Sequence, residues 1–249
     1  KGYLNTNNSG VTVRDINAIP ILDKISEIEG DYLTDRENNF SSMVSPGGMF
    51  TSRPKLMGTW KGFSKEKDDT HSIKYHISKF LTGSSVGWVK EEDISKNIEA
   101  IDMHKVYINA AGDNVKFGRV IAIPSYGEPN SVCSSTYLVI GYDKIKHNYT
   151  KEECFNIMSY ISTKFFRFMV DVKKTTQQCP RQMYQFVPLQ DWSKPWTDEE
   201  LYKKYKLTEE EISYIEDNIL PMTLDADQDD LVDPDDSEFE DEDVGEGEM

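Results

Sequence analysis

A chain of 249 residues with 37% hydrophobic side chains suits one ordinary domain with appendages, and no run of 18 apolar residues is present to span a bilayer. The formal net charge is −16, yet residues 223–249 hold 14 Asp/Glu and no Lys, Arg or His, which leaves 28 basic against 30 acidic side chains in residues 1–222. A near-neutral body beside a separate polyanion argues against non-specific nucleic-acid binding as the main task.

The first ten residues are polar, lack the apolar stretch of a signal peptide and read as an irregular lead-in. The chain does not begin with Met, so a processed chain or part of a longer gene product is expected. Thr12 and Asp15 stand at capping-box spacing before a helix predicted over 13–28, with Ile16, Ile19, Leu22 and Ile25 as its apolar stripe. Pro20 lies inside that pattern and should kink or break it. The Gly/Pro-rich segment 45–54 reads as a loop. Residues 57–63 and 71–80 alternate like strands, and in the second Ile73, Tyr75 and Ile77 share one face while Lys74, His76 and Ser78 share the other.

A short strand is expected at 86–89, and a helix over 91–101 with Ile94, Ile98 and Ile101 on one side. Three more strands are expected at 105–111, 118–124 and 135–142, separated by turns at 112–114 and 127–130. A long helix should open at the capping box Thr150/Glu153 and run through Phe155, Met158, Ile161, Phe165, Phe168 and Val172 to about Lys174. Residues 175–192 turn polar, then strand-like, then aromatic. Two short helices follow, opened by Thr197/Glu200 and Thr208/Glu211 and closed by Pro221. Residues 223–249 have too little apolar content to fold alone and are expected to be disordered. The expected fold is α+β: a mixed-sheet globule over 1–222 with one long helix and short C-terminal helices, followed by an acidic tail over 223–249.

Catalytic motifs are missing from these residues. No Gly-rich cofactor loop with an (Asp/Asn)-Pro-Pro-aromatic tetrapeptide occurs, nor a P-loop, nor GxSxG. Asp171-Val172-Lys173 is the nearest string to a nuclease motif, but it falls late in the long helix with Asp171 and Lys173 on different sides, so a solvated helix end is expected. His71 and His76 point to opposite faces of one strand. Three widely spaced cysteines (Cys133, Cys154, Cys179) without a CxxC pair argue against a zinc site or a disulfide framework, and a reducing cytoplasm is the default location. Asp225, Asp227, Asp229, Asp233 and Asp236 imitate a calcium loop, but Asp230 replaces the turn glycine and Asp236 the closing Glu, so a solvated polyacidic segment is expected. No catalytic residue, metal or cofactor is assigned to this chain.

Basic residues do gather in loops. Arg53 and Lys55 flank the Gly/Pro loop, Lys61, Lys65 and Lys67 follow Trp60, Lys116 and Arg119 border an Asn/Gly turn, and Lys173, Lys174 and Arg181 bracket the TTQQ segment near Tyr184. Such side chains can neutralise phosphates.

The strings STYLVIG (135–141), TKFFRFMV (163–170), KKTTQ (173–177), FVPLQDWSKPWTDEELYKKYKLTEEE (186–211) and IEDNILPM (215–222), with Tyr184, resemble the C-terminal part of Eco57I-like bacterial adenine-specific DNA methyltransferases. These occur as Type II restriction–modification enzymes, some fused to an endonuclease. The likeness runs most closely over 133–222 and more weakly over 12–132. It implies a target recognition domain, laid out like half of a Type I specificity subunit, that selects the DNA sequence to be methylated. It also implies double-stranded DNA as partner and a methyltransferase domain or subunit using S-adenosylmethionine, whose motifs are not in these residues. An adenine N6 methyltransferase draws its base out of the duplex, and a second lobe must clamp the DNA and read neighbouring bases. On that reading Arg53, Lys55, Lys61, Lys65, Lys116, Arg119, Lys173 and Lys174 serve phosphates, and Asn109, Asn114, Gln177 and Arg181 are the base-edge readers. The alternatives are a protein-interaction or antirestriction module whose acidic tail mimics DNA charge, and a nuclease with an unrecognised carboxylate set.

Overall fold

The computed structural model describes residues 13, 15–78, 85–111 and 118–224. Two three-stranded sheets lie at its centre. One has the order β4-β3-β6, from β3 (Lys105–Asn109), β4 (Ser125–Gly127) and β6 (Tyr137–Ile140), and is antiparallel throughout. The other has the order β2-β1-β5, from β1 (Ile73–His76), β2 (Val86–Val89) and β5 (Ser131–Cys133). It is mixed, because β1 pairs antiparallel with β2 and parallel with β5. The fold is α+β.

Side-chain alternation along β3 divides the interior in two. Val106 and Ile108 join Leu138 and Ile140 in a larger core with the helices. Tyr107 and Val139 face the other way, into a smaller core with Ile73, Tyr75, Ile77, Val89 and Val132 of the second sheet. The alternation expected for 71–80 holds where it is described: Ile73, Tyr75 and Ile77 are buried, while Lys74, His76 and Ser78 are half-buried. Residues 79 and 80, the end of that expected strand, lie outside the described residues.

The apolar strings at 57–63 and 118–124 do not form strands. Gly118 and Val120 have positive φ of 88° and 66°, and Ile121 is buried without a ladder partner, so hydrophobicity there reflects burial of a loop. Strands form instead on either side of the turn expected at 127–130: β4 ends at Gly127, β5 starts at Ser131, and Asn130 between them has a positive φ of 61°. The helix expected over 91–101 is two 3-10 turns, Glu91–Asp93 and Ile98–Ala100, separated by left-handed Asn97 (φ 52°). That break buries Ile94 and Ile101 but leaves Ile98 52% exposed.

Helix α1 (Ala18–Glu29) begins later than its periodicity indicated. Pro20 therefore falls in the first turn, where a backbone N–H has no intrahelical partner, and it neither kinks nor breaks the helix. Asp15 Oδ1 accepts from the Asn17 N–H (3.0 Å), while Thr12, the other half of the expected box, lies outside the described residues. The buried stripe is Ala18, Ile21, Leu22 and Ile25, and Ile16 is 66% exposed.

The expected long helix is two, α2 (Lys151–Ser162) and α3 (Lys164–Lys173), parted at Thr163 in extended backbone (ψ 149°). The Thr150/Glu153 capping box opens α2 as expected. Thr163 Oγ1 accepts the Phe166 N–H (3.1 Å), and the Asp198 carboxylate accepts the N–H groups of Lys164 (2.9 Å) and Phe165 (2.8 Å). Three of the four orphan donors at the start of α3 are thereby satisfied. Beside this break Arg167 is fully buried and donates to the carbonyls of Ser162, Thr163 and Leu220. Both C-terminal capping boxes are formed, opening α4 (Asp198–Lys204) and α5 (Glu209–Asn218).

Cys133, Cys154 and Cys179 are free and buried, and burial pushes each thiol pKa up. Among the described residues no helix is long and apolar enough to cross a membrane. The lead-in 1–12 and segment 225–249, including the calcium-like string, lie outside the described residues.

The junction at Thr163 makes a stability prediction. Thr163→Ala should cost about 1 kcal/mol and Asp198→Ala about 2 kcal/mol, since each strands helix-start donors. Urea denaturation followed by circular dichroism would measure both, and unchanged midpoints would show that the contacts contribute nothing.

Candidate nucleic-acid interface

Three loop segments converge on one end of the β3–β6 pair. The ladder of β3 continues past Asn109, where the Ala110 N–H donates to Thr136 O (2.7 Å). On one side, Ala111 bridges Gln178 and the Cys179 N–H donates to Ala110 O (2.8 Å), which brings the TTQQ segment to the strand end. On the other, the Ser135 N–H donates to Leu56 O (3.0 Å) and Ser135 Oγ accepts from the Gly58 N–H (3.1 Å). Segments 56–58, 109–111 and 175–179 thus share one scaffold edge.

The Gly/Pro loop is irregular as expected but firmly tied. Ser45 exchanges two bonds with Val139, its N–H to Val139 O (2.8 Å) and its Oγ from the Val139 N–H (2.9 Å). Thr51 Oγ1 donates to Leu56 O (3.2 Å), and Asn97 Nδ2 donates to Met49 O (2.6 Å). Gly48 supplies a positive φ of 68° that an L side chain resists. Arg53 is exposed at the tip of this loop.

The following segment lies along the edge of β2. Ser64 and Trp88 exchange reciprocal N–H···O bonds of 2.8 Å, and Lys67 Nζ lies 5.2 Å from the centre of the Trp88 ring system. Trp60 and Phe63 pack on Tyr75 at ring separations of 6.0 and 5.9 Å. Gly62 is close against Trp60, where an added Cβ would sit 2.4 Å from the ring. Lys61 and Lys65 are exposed on this anchored segment.

The twelve sequence candidates meet different fates. Arg53, Lys61, Lys65 and Gln177 are exposed, and Arg119 is half-buried. Asn109 is half-buried, its Oδ1 accepting the Ala111 N–H (3.2 Å). Lys55 pairs with Asp93 at 2.7 Å, a bond that raises its pKa. Lys173 sets its ammonium 4.9 Å from the Phe186 ring centre. Lys174 and Arg181 are half-buried, and each turns donors inward. Lys174 Nζ donates to Val120 O (2.5 Å), while Arg181 donates from Nε to Val44 O (2.7 Å) and from Nη2 to Tyr142 Oη (3.0 Å). Asn114 and Lys116 lie outside the described residues.

Sequence reasoning missed a second polar cluster between the two sheets. Lys105, fully buried at the start of β3, donates to the carbonyls of Ile101 (3.0 Å), Met103 (2.8 Å) and Glu128 (3.3 Å). Burial pulls its pKa down to about 8, but its three donors are all engaged, so it ties loops together and offers no free amine. A lysine at the head of an apolar strand was the only sequence signal. Nearby, Glu128 accepts from Lys74 (2.5 Å) and contacts His76 Nε2 (3.3 Å). The His76 bond, with help from Lys74, holds the Glu128 pKa down at about 2. His76 is itself lowered, since its burial outweighs the favourable pairing. The cluster is self-satisfied and presents no nucleophile with a matched base.

No protein-family model matches the chain, and no match is found among curated proteins or solved structures.

Two predictions arise from these contacts. Arg181→Ala should destabilise the fold by about 2 kcal/mol, because Val44 O is left buried and unpaired; thermal unfolding would measure it. A depressed carboxylate pKa stabilises the folded state above the unfolded value and loses that contribution as pH falls through the folded one. Stability should therefore drop between the usual Glu value of 4.5 and about 2, and Glu128→Gln should flatten the loss in acid titrations of the unfolding midpoint. An unaltered acid profile in that variant would exclude Glu128 as a contributor.

Proposed function

We propose that this chain is a sequence-specific DNA target recognition module of an adenine-specific DNA methyltransferase or restriction–modification enzyme, working with a methyltransferase domain or subunit that supplies S-adenosylmethionine chemistry. The observation that carries the reading is the convergence of segments 56–58, 109–111 and 175–179 on one end of β3–β6. Base reading requires polar loops held in fixed register by a rigid support. Here the supporting bonds run from backbone to backbone and from Ser45, Thr51 and Asn97 side chains. Charge supports the same reading: residues 53–67 contain five basic side chains and one acidic one. In this arrangement Arg53, Lys61 and Lys65 serve phosphates, while Gln177 and Asn109 lie where base edges can be read. Lys174 and Arg181 brace the loops from behind.

The test is duplex binding as a function of salt. The triple charge reversal Arg53→Glu, Lys61→Glu, Lys65→Glu should weaken binding at least tenfold at about 100 mM salt and reduce the log–log salt slope by roughly 2 to 3. Thermal unfolding of the variant should stay near that of the parent, since all three side chains are exposed. Binding that is absent in the parent chain at low salt, or indifferent to the reversal, would overturn the proposal.

A further inference from the structure

We infer that segment 225–249 docks electrostatically on residues 53–67 and competes there with duplex DNA. The contact deepens the DNA-recognition reading and rests on it for its purpose, but not for its physics.

Charge complementarity is the first argument. Residues 225–249 carry 14 carboxylates and no basic side chain, while residues 53–67 carry a net charge of +4. Five lysines elsewhere on the surface are matched by carboxylates, Lys24 with Glu211, Lys164 with Glu216, Lys194 with Glu200, Lys204 with Glu29 and Lys146 with Glu37, whereas others, such as Lys203 and Lys206, are exposed but stand close to the acidic first turns of α4 and α5 in sequence. Arg53, Lys65 and Lys67 make no ion pair among the described residues. Residues 53–67 thus combine a local excess of positive charge with three cations that a polyanion can meet without displacing an ion pair among the described residues.

Connectivity is the second argument. The end of the described chain is anchored at Leu220, whose N–H donates to Gly118 O (3.0 Å) and whose carbonyl accepts from Arg167 (2.6 Å). Residues 221–224 follow, with Met222 and Leu224 still packed on the larger core. From that anchor, 25 residues extend at most roughly 80–90 Å. A globule of this chain length has a radius of gyration of about 18 Å, so every face lies within reach. Tethering of this kind gives an effective concentration on the order of millimolar. A contact of only millimolar intrinsic affinity would then be populated about half the time.

A polyanion held on the phosphate-contacting loop must be displaced before a duplex can bind, and both contacts weaken as salt rises. Competition should therefore be strongest at low ionic strength and should favour sites with base-specific contacts over non-specific DNA.

Two measurements on the full chain test this. Carbodiimide crosslinking at about 50 mM salt, read by peptide mass spectrometry, should join carboxylates of 225–249 to Lys61, Lys65 or Lys67, with yield falling at least fivefold by about 300 mM. Absence of these crosslinks, or their even spread over exposed lysines such as Lys203 and Lys206, overturns the contact. In parallel, a variant with the 14 carboxylates changed to their amides should bind duplex DNA at least tenfold more tightly than the parent at about 50 mM salt, with the two converging at about 300 mM. Equal affinities at low salt overturn the competition. The failures separate cleanly: specific crosslinks with no duplex binding by either protein sustain the contact and reject the DNA reading, whereas duplex binding with no crosslinks does the reverse.

Discussion

The geometry of the molecule depends on the break at Thr163. A continuous helix from 150 to 174 would carry its apolar face along one line. The extended turn instead redirects the chain, and the donors it exposes are met by Thr163 itself and by Asp198 from the start of α4. Burial pushes the Asp198 pKa up, and the two N–H bonds oppose that shift by favouring the carboxylate. Arg167 fills the space beside the break and binds the carbonyl of Leu220, so the same junction fixes both α4 and the end of the described chain. The direction of α3 then sets where Lys174 meets Val120 and where 175–179 reaches the end of β3.

The β3–β6 pair does a second job as the wall between two cores. One face of β3 serves the helices and the other serves the mixed sheet, so a one-residue register slip would carry each set of side chains into the wrong core. That doubly buried position makes the strand end a stiff platform. It explains why loops with little regular structure, such as 45–58, can still hold a fixed shape: their bonds end on Val139 and Ser135 of the strand platform. Buried Lys105 reinforces the opposite end of β3 by gathering three carbonyls from two loops.

What the sequence made legible was local. The capping boxes at Thr150, Thr197 and Thr208 and the alternation of Ile73, Tyr75 and Ile77 all need only neighbours within a few residues, and all are present. The Thr163 break was not legible, because Thr163 has Phe166 where a capping box has Glu or Gln, and the carboxylate that compensates comes from Asp198, 35 residues away. The false strand at 118–124 has the same origin: Val120 and Ile121 are apolar for tertiary reasons, and the left-handed Val120 backbone carries no sequence mark. Of the proposed contact residues, exposure could be guessed for Arg53 and Lys65. The inward turn of Lys174 and Arg181 could not, since their acceptors lie 54 and 137 positions distant in sequence.

The three thiols have a practical consequence. Cys133 belongs to the smaller core, and Cys154 and Cys179 belong to the larger. A maleimide reagent reaches none of them until the surrounding structure opens. The order in which they become labelled therefore reports which half of the interior loosens first, making the native cysteines a built-in clock for partial unfolding.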